Sequence, residues 1–226
     1  METVLDVYAQ PYDAAYPVVC FDEKPCALYG DVTPSVKAQP AERDDEDKVK
    51  KRGRPKKVDY EYIRNGACSV LIAVEPLTGK RKVEVCADRK ATTFALFFMQ
   101  LALLYPNAIK IKVILDNLNT HDFASFYKLL TAQQANQLKA PFEFIYTPIK
   151  GSWLNMAEIE LAALSKICLD RRLDSIEKMN TEIQQTVKER QQNKVLIKWQ
   201  FTSHKARLKL NRHYHKVNPL NEIILN

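Results

Sequence analysis

The sequence predicts an α/β domain: a mixed sheet with helices packed against it. Three observations carry this expectation. Compact apolar runs have the length of strands buried on both faces, and helix-length stretches between them place apolar residues at a 3.6 period. The order is strand, hairpin, helix, strand, helix, strand, helix, for which a mixed sheet is the economical packing. At 226 residues the chain buries a core without disulfide or metal staples, and no repeat of 20 to 50 residues suggests a solenoid or propeller.

Residues 1–16 are rich in Tyr, Pro and Asp and short of periodicity, which suits an ordered N-terminal arm better than a helix. Pro17-Val18-Val19-Cys20-Phe21 reads as a doubly buried strand that stops at Asp22, leaving a carboxylate at its end. Over 31–58 the composition turns to Pro and charge. Acids come first (Glu42, Asp44, Asp45, Glu46, Asp47) and bases follow (Lys48, Lys50, Lys51, Arg52, Arg54, Lys56, Lys57), which predicts a flexible charged insertion. Residues 67–75 and 82–86 form a hairpin across Pro76-Leu77-Thr78-Gly79, antiparallel to the first strand.

Residues 92–104 are an apolar helix closed by Pro106. Residues 110–115 are a second buried strand, and it too ends in a carboxylate, Asp116. A helix over 123–138 carries Phe123, Phe126, Tyr127 and Leu130 at i, i+3, i+4 and i+7. The strand 142–147 is stopped by Pro148, and a helix over 153–169 has the stripe Leu154, Ala157, Leu161, Leu164 and Cys168. Another helix spans 175–191, and a last one lies within 199–214, with Ala206, Leu208 and Leu210. One domain over 17–193 with a basic helix and tail over 194–226 accounts for the pattern.

The formal charge is +7, and residues 166–216 hold thirteen Lys or Arg against five Asp or Glu. A solvated helical face and a polyanion partner both explain such an excess. The five cysteines, Cys20, Cys26, Cys68, Cys86 and Cys168, are odd in number, lie mostly in apolar runs and lack C-x-x-C spacing, so they read as small core residues. With no secretory or membrane-spanning signal, the chain is expected to be cytoplasmic and reduced.

Two apolar strands that each end in Asp point to a shared acidic pocket at strand ends, although a single Asp there serves equally as a helix cap or turn residue. The helix near Trp153 offers Glu158 and Glu160 as a third acid. They differ by about 200° around a helix and flank its apolar stripe, so only one faces the pocket and helical geometry does not choose. Asn117, Asn119 and His121 follow Asp116 closely enough to orient a bound water or phosphate. For His121 a surface residue at a helix start is the competing reading. Lys150 and Trp153 flank the helix within reach of DNA, though a Trp at such a place is more often core. No G-x-S-x-G or P-loop pattern suggests other chemistry.

Lys51-Arg52-Gly53-Arg54-Pro55-Lys56-Lys57 contains Arg-Gly-Arg-Pro, which suits either a minor-groove hook or a solvated linker. Either adds counterion-release affinity for DNA without choosing a site. Arg52, Arg54, Lys56, Lys57, Lys150, Arg171 and Arg172 are the DNA-binding candidates.

Five ordered segments carry a resemblance: Val18-Val19-Cys20-Phe21-Asp22-Glu23-Lys24; Asp59-Tyr60-Glu61-Tyr62 with Arg64-Asn65-Gly66; Val113-Ile114-Leu115-Asp116-Asn117-Leu118-Asn119-Thr120-His121; Gly151-Ser152-Trp153-Leu154-Asn155-Met156-Ala157-Glu158-Ile159-Glu160; and Trp199-Gln200-Phe201-Thr202. From about Met1 to Tyr214 the chain resembles the catalytic domain of mariner-like DDE transposases of bacterial insertion sequences. The most specific pieces are the strand ending in Asp-Asn with a nearby His and the Leu-Asn-x-x-Glu that opens the later helix.

The resemblance implies an RNase H-like mixed five-stranded sheet flanked by helices, with a helical C-terminal extension. It matches Asp22, Asp116 and Glu158 to the three acids, choosing Glu158 over Glu160, and implies that they hold two divalent ions, Mg²⁺ or Mn²⁺. Water as nucleophile gives cleavage at transposon ends, and the freed 3′-hydroxyl gives strand transfer into target DNA. Forty-one residues separate Asp116 from Glu158, more than in compact relatives, which places an insertion at the turn 138–141.

Relatives carry a helix-turn-helix region ahead of the segment corresponding to Met1, so the expected partners are double-stranded DNA, a helix-turn-helix protein or missing N-terminal domain, and a second copy in a homodimer. Two rivals stand beside this reading. One is a general RNase H-like nuclease or resolvase, against which Leu-Asn-x-x-Glu and Trp-Gln-Phe-Thr weigh. The other is a catalytically silent DNA-binding remnant, against which retention of all three acids weighs.

Overall fold

Alternation along two long strands organises the molecule. The computed structural model describes residues 1–43, 49–57, 59–118 and 121–218, with backbone alone at 49 and 50. Its strands are β1 (Val18–Asp31), β2 (Glu42–Arg43), β3 (Val49–Lys51), β4 (Tyr62–Val74), β5 (Arg81–Cys86), β6 (Ile111–Leu115) and β7 (Phe142–Tyr146). Five form one sheet in the order β5-β4-β1-β6-β7. The β4 strand is antiparallel to both of its neighbours, β5 and β1, and β1, β6 and β7 run parallel. This is the mixed five-stranded, RNase H-like arrangement that the sequence led us to expect.

Side chains alternate between the sheet's faces, so each strand feeds two cores. Cys20, Leu28, Val70, Ile72 and Val74 enter one core, with α1 (Glu2–Tyr8), α4 (Ala157–Leu164), α5 (Ile176–Gln192) and α6 (Ser203–Lys209). Val19, Phe21, Leu71, Ala73, Val113 and Leu115 enter the other, against Phe94, Phe97, Phe98 and Leu101 of α2 (Ala91–Leu103) and Ala135 of α3 (Ala132–Lys139). A final helix, α7 (Asn211–Val217), follows α6. Among the described residues no helix is long and apolar enough to cross a membrane.

Five local differences from the sequence reading have physical causes. First, β1 does not stop at Asp22. Its parallel ladder with β6 ends at Cys20↔Ile114, but β4 pairs with it as far as Asp31↔Tyr62. An apolar run marks only the doubly covered part of a strand, and one antiparallel partner carries the polar remainder. Second, 1–16 is more than an arm: Glu2–Tyr8 is helical and buries Val4, Leu5 and Val7, in a helix too short to show a period.

Third, the helix expected over 123–138 is broken into a 3-10 segment (Phe123–Lys128) and α3, because Thr131 and Gln134 form a capping box that starts a new helix. Fourth, the helix expected over 153–169 comprises a 3-10 turn (Ser152–Leu154), α4 and a π turn (Ser165–Leu169). Fifth, the charged insertion pairs with itself: β2 is antiparallel to β3, and bridges join Val36 to Lys57 and Gln39 to Arg54.

In the β4–β5 turn, Gly79 has φ 75°, and a Cβ there would sit 2.9 Å from the Val195 carbonyl oxygen, so both backbone and neighbour require glycine. Cys20, Cys68 and Cys168 are buried and all five cysteines are free, which agrees with their reading as core residues.

Candidate active site

Beyond Cys20↔Ile114 the β1 strand no longer pairs with β6, while Asp22 still pairs in register with Ile72 of β4. Alternation directs Asp22 to the face covered by α4, and Asp116 follows the last residue of β6. Glu158 lies in the first turn of α4. Burial, and then the charges of Asp116 and Glu158, push the Asp22 carboxyl up to about 6, against a hydrogen bond from the Glu23 N–H (2.7 Å) and the charge of His121. Asp22 therefore feels the charge of an acid just past β6 and of another in the first turn of α4.

Asp116 is held below the usual carboxylate range by its hydrogen bond to His121 Nδ1. His121 is 1% exposed, stacked on Phe94 with ring centroids 5.3 Å apart and edge-on to Phe21. Its Nε2 lies 3.4 Å from Glu23 Oε2, and Glu23 in turn accepts from Arg89 at 3.1 Å. Burial opposes the imidazolium, but the contacts with Asp116 and Glu23 outweigh it and lift the pKa to about 9. His121 is therefore a buried cation between two carboxylates at neutral pH, not a surface residue.

The other glutamate of α4 has a separate setting. Glu160 is 0% exposed, with Oε1 2.7 Å from Arg190 Nε and 2.8 Å from Arg81 Nε. The Arg81 Nε hydrogen is not aligned with that oxygen, and the bond that does form runs from Arg81 Nη2 to Oε2 at 3.0 Å. Glu160 is thus committed to a buried ion pair.

Other candidates divide by their partners. Asn117 is exposed beside Asp116, and Asn119 lies outside the described residues. Arg52, Arg54, Lys56 and Lys57 are exposed, but the backbone of Arg54 exchanges hydrogen bonds with Gln39 and that of Lys57 with Val36, so the run is pinned instead of hanging as a free arm. Lys150 is exposed at φ 60°, and Trp153 is 48% exposed against Phe201, not core. Arg171 pairs with Glu182 at 3.2 Å. Arg172 is occupied within the molecule: its guanidinium pairs with Asp31 at 2.8 Å and donates to the carbonyls of Asp59, Tyr60 and Glu61, fastening that segment. This removes it as a ready phosphate contact.

Sequence reasoning passed over Glu23, Arg89 and the work of Asn155. Asn155 Nδ2 donates to the Phe21 carbonyl at 2.7 Å, and its Oδ1 accepts from the Ala157 N–H. With the helix read from 153, Asn155 fell inside it and gave no cap signal, whereas period 2 puts Glu23 on the His121 side of the sheet. Nothing local marked Arg89.

Carboxylate oxygens are the donors that a hard divalent cation prefers, and the charge crowding at Asp22 is what such an ion relieves. Among the described residues no three His, Cys, Asp or Glu side chains are gathered tightly enough to hold a metal ion, and Asp116 is turned onto His121. The donor set fits the ion in kind, with the side chains standing apart.

A mixed sheet in this order, flanked by helices, is an RNase H-like fold. The family model described as DDE superfamily endonuclease matches residues 18–180. The chain belongs to that family. No curated protein matches it.

Proposed function

We propose that this chain is the catalytic domain of a DNA transposase, a metal-dependent endonuclease and strand transferase of the mariner-like type found in bacterial insertion sequences. The observation that carries the reading is that Asp22, on the face of β1 covered by α4, feels the charges of both Asp116, just past β6, and Glu158, in the first turn of α4. In this reading those three residues hold Mg²⁺ or Mn²⁺, and the bound ions supply charge stabilisation and an activated nucleophile. Asp22, ionised above pH about 6, is available for the role near neutrality. His121 restrains Asp116 through Nδ1 and is itself fixed by Glu23 and the Phe94 ring. Water as nucleophile yields a nick, and a 3′-hydroxyl as nucleophile yields a joined strand. No side chain need form a covalent intermediate.

The test is nicking of supercoiled plasmid and of duplexes bearing terminal repeats, with Mg²⁺ or Mn²⁺. Asp22→Asn, Asp116→Asn and Glu158→Gln are each expected to lose at least about a hundredfold in rate, while Glu177→Gln, on the exposed surface of α5, retains it. Nicking that survives all three substitutions rejects the assignment. A second reading, a DNA-binding domain without turnover, draws on the engagement of Asp116 by His121. Duplex binding with no nicking under either metal is its signature.

A further inference from the structure

We propose that Asn155 is a positioning residue that sets the place of Glu158 relative to Asp22. The inference rests on the metal-dependent reading above and assigns a further member to the same site. Asn155 is 1% exposed and its side chain is used from both ends. Nδ2 donates to the Phe21 carbonyl at 2.7 Å, beyond the last β1–β6 pair, and Oδ1 accepts from the Ala157 N–H at 3.1 Å. Each atom that it holds belongs to the residue next to a carboxylate: Phe21 precedes Asp22, and Ala157 precedes Glu158. Its own carbonyl accepts from the Glu158 N–H at 3.1 Å. One amide thus spans the two backbones that carry the acids.

Among the described residues the other holds on α4 do not reach β1 through hydrogen bonds beside the acids: Glu160 ties the helix to Arg81 of β5 and Arg190 of α5. Leu154, Ala157, Leu161 and Leu164 pack it onto the sheet through apolar contacts, which fix its distance but are non-directional. Hydrogen bonds weaken steeply away from linearity, so a buried amide with both ends engaged fixes rotation and slide. Tyr8 Oη bonds the Leu154 carbonyl at 2.8 Å, accepts from the Met156 N–H at 3.4 Å and lies 3.4 Å from Cys20 Sγ of β1, so it supports the same turn, but it holds neither the Phe21 carbonyl nor the Ala157 N–H beside the two acids. Tyr8 therefore separates general support of the turn from registration of the two acids.

The test compares Asn155→Ser, Asn155→Ala and Tyr8→Phe in the full chain by Mn²⁺ titration calorimetry and thermal melting without metal, and by the Mn²⁺ dependence of nicking. Serine still caps Ala157 but is too short to reach Phe21. Both Asn155 variants are expected to bind Mn²⁺ about ten- to a hundredfold more weakly, the range found for residues that orient metal ligands. Saturating Mn²⁺ should restore most of the nicking rate. Tyr8→Phe should lower the melting temperature with Mn²⁺ affinity unchanged. If Asn155→Ala does not fold, Asn155→Ser decides. Wild-type affinity in Asn155→Ser, or an equal loss in Tyr8→Phe, overturns the positioning role alone. Wild-type chain that binds no Mn²⁺, or whose binding survives Glu158→Gln, overturns the metal-dependent reading and this role with it.

Discussion

Glu158 and Glu160 stand two positions apart on one helix, and their environments make opposite demands on stability. Glu160 neutralises Arg81 and Arg190 in the interior, and the two guanidinium groups, outweighing the cost of burial, hold its carboxyl below the usual range. Glu160→Gln leaves two cations without a counter-charge and is expected to cost about 3–5 kcal/mol in urea unfolding, against less than about 1 kcal/mol for Glu158→Gln. Equal unfolding midpoints for the two variants would refute this. Because the folded pKa of Glu160 is depressed, its contribution is present above its unfolded pKa, near 4.5, and is lost as pH falls through the folded value. Asp22 has the reverse sign. Its pKa rises from 3.8 to about 6, so folding favours the protonated form and stability declines as pH rises through that window. Asp22→Asn should therefore stabilise the metal-free chain at pH 7 by up to about 3 kcal/mol, with the gain vanishing near pH 3. A stability profile in which wild type and variant run parallel from pH 3 to 7 would contradict it.

Within the elements, the capping box at Thr131 gives the clearest local test. Its hydroxyl accepts from the Gln134 N–H, and the Gln134 side chain returns to the Thr131 N–H. Thr131→Ala should lower stability by about 0.5–2 kcal/mol, with helix loss confined to α3 in hydrogen exchange; unchanged exchange in α3 would contradict the cap's role. Thr-x-x-Gln was legible at that place, yet the stripe Phe123, Phe126, Tyr127 and Leu130 suggested one continuous helix. A 3-10 segment with Phe126 buried satisfies part of the same periodicity. The inner strands were legible because the apolar runs of β1 up to Phe21, of β4 from Cys68 and of β6 are buried on both faces, while the edge strands β5 and β7 were read from the turn at 76–79 and from Pro148. The polar continuation of β1 past Asp22 was not, since its pairing depends on β4, more than thirty residues later in sequence. Periodicity left Glu158 and Glu160 equivalent. The ion pair that separates them in the structure comes from Arg81 and Arg190, each distant in sequence, and no local pattern announces such a partner. Asn155 fell inside the helix read over 153–169, and the Phe21 carbonyl it serves is 134 residues away.

At the scale of the whole molecule, charge governs the encounter with DNA and shape governs the order of assembly. Arg52, Arg54, Lys56 and Lys57 are exposed on a self-paired insertion. Changing all four to Gln is expected to weaken binding to every duplex alike and to flatten the slope of log affinity against log salt by up to about 0.9 for each phosphate no longer neutralised. A selective loss on A·T-rich duplex in competition binding would instead assign them to groove reading. The docking of α1 concerns time rather than charge. Val4, Leu5 and Val7 are covered by the core that includes Ile197 and Ala206, and Glu2 pairs with Arg207, 205 positions later. At about 5–20 residues per second, a ribosome needs on the order of 10–40 s to deliver that partner. A helix of this length does not stand alone in water. The α1 helix therefore leaves the ribosome long before the segment that covers it, and its apolar face stays open to chaperones and proteases until Ile197, Ala206 and Arg207 have been delivered.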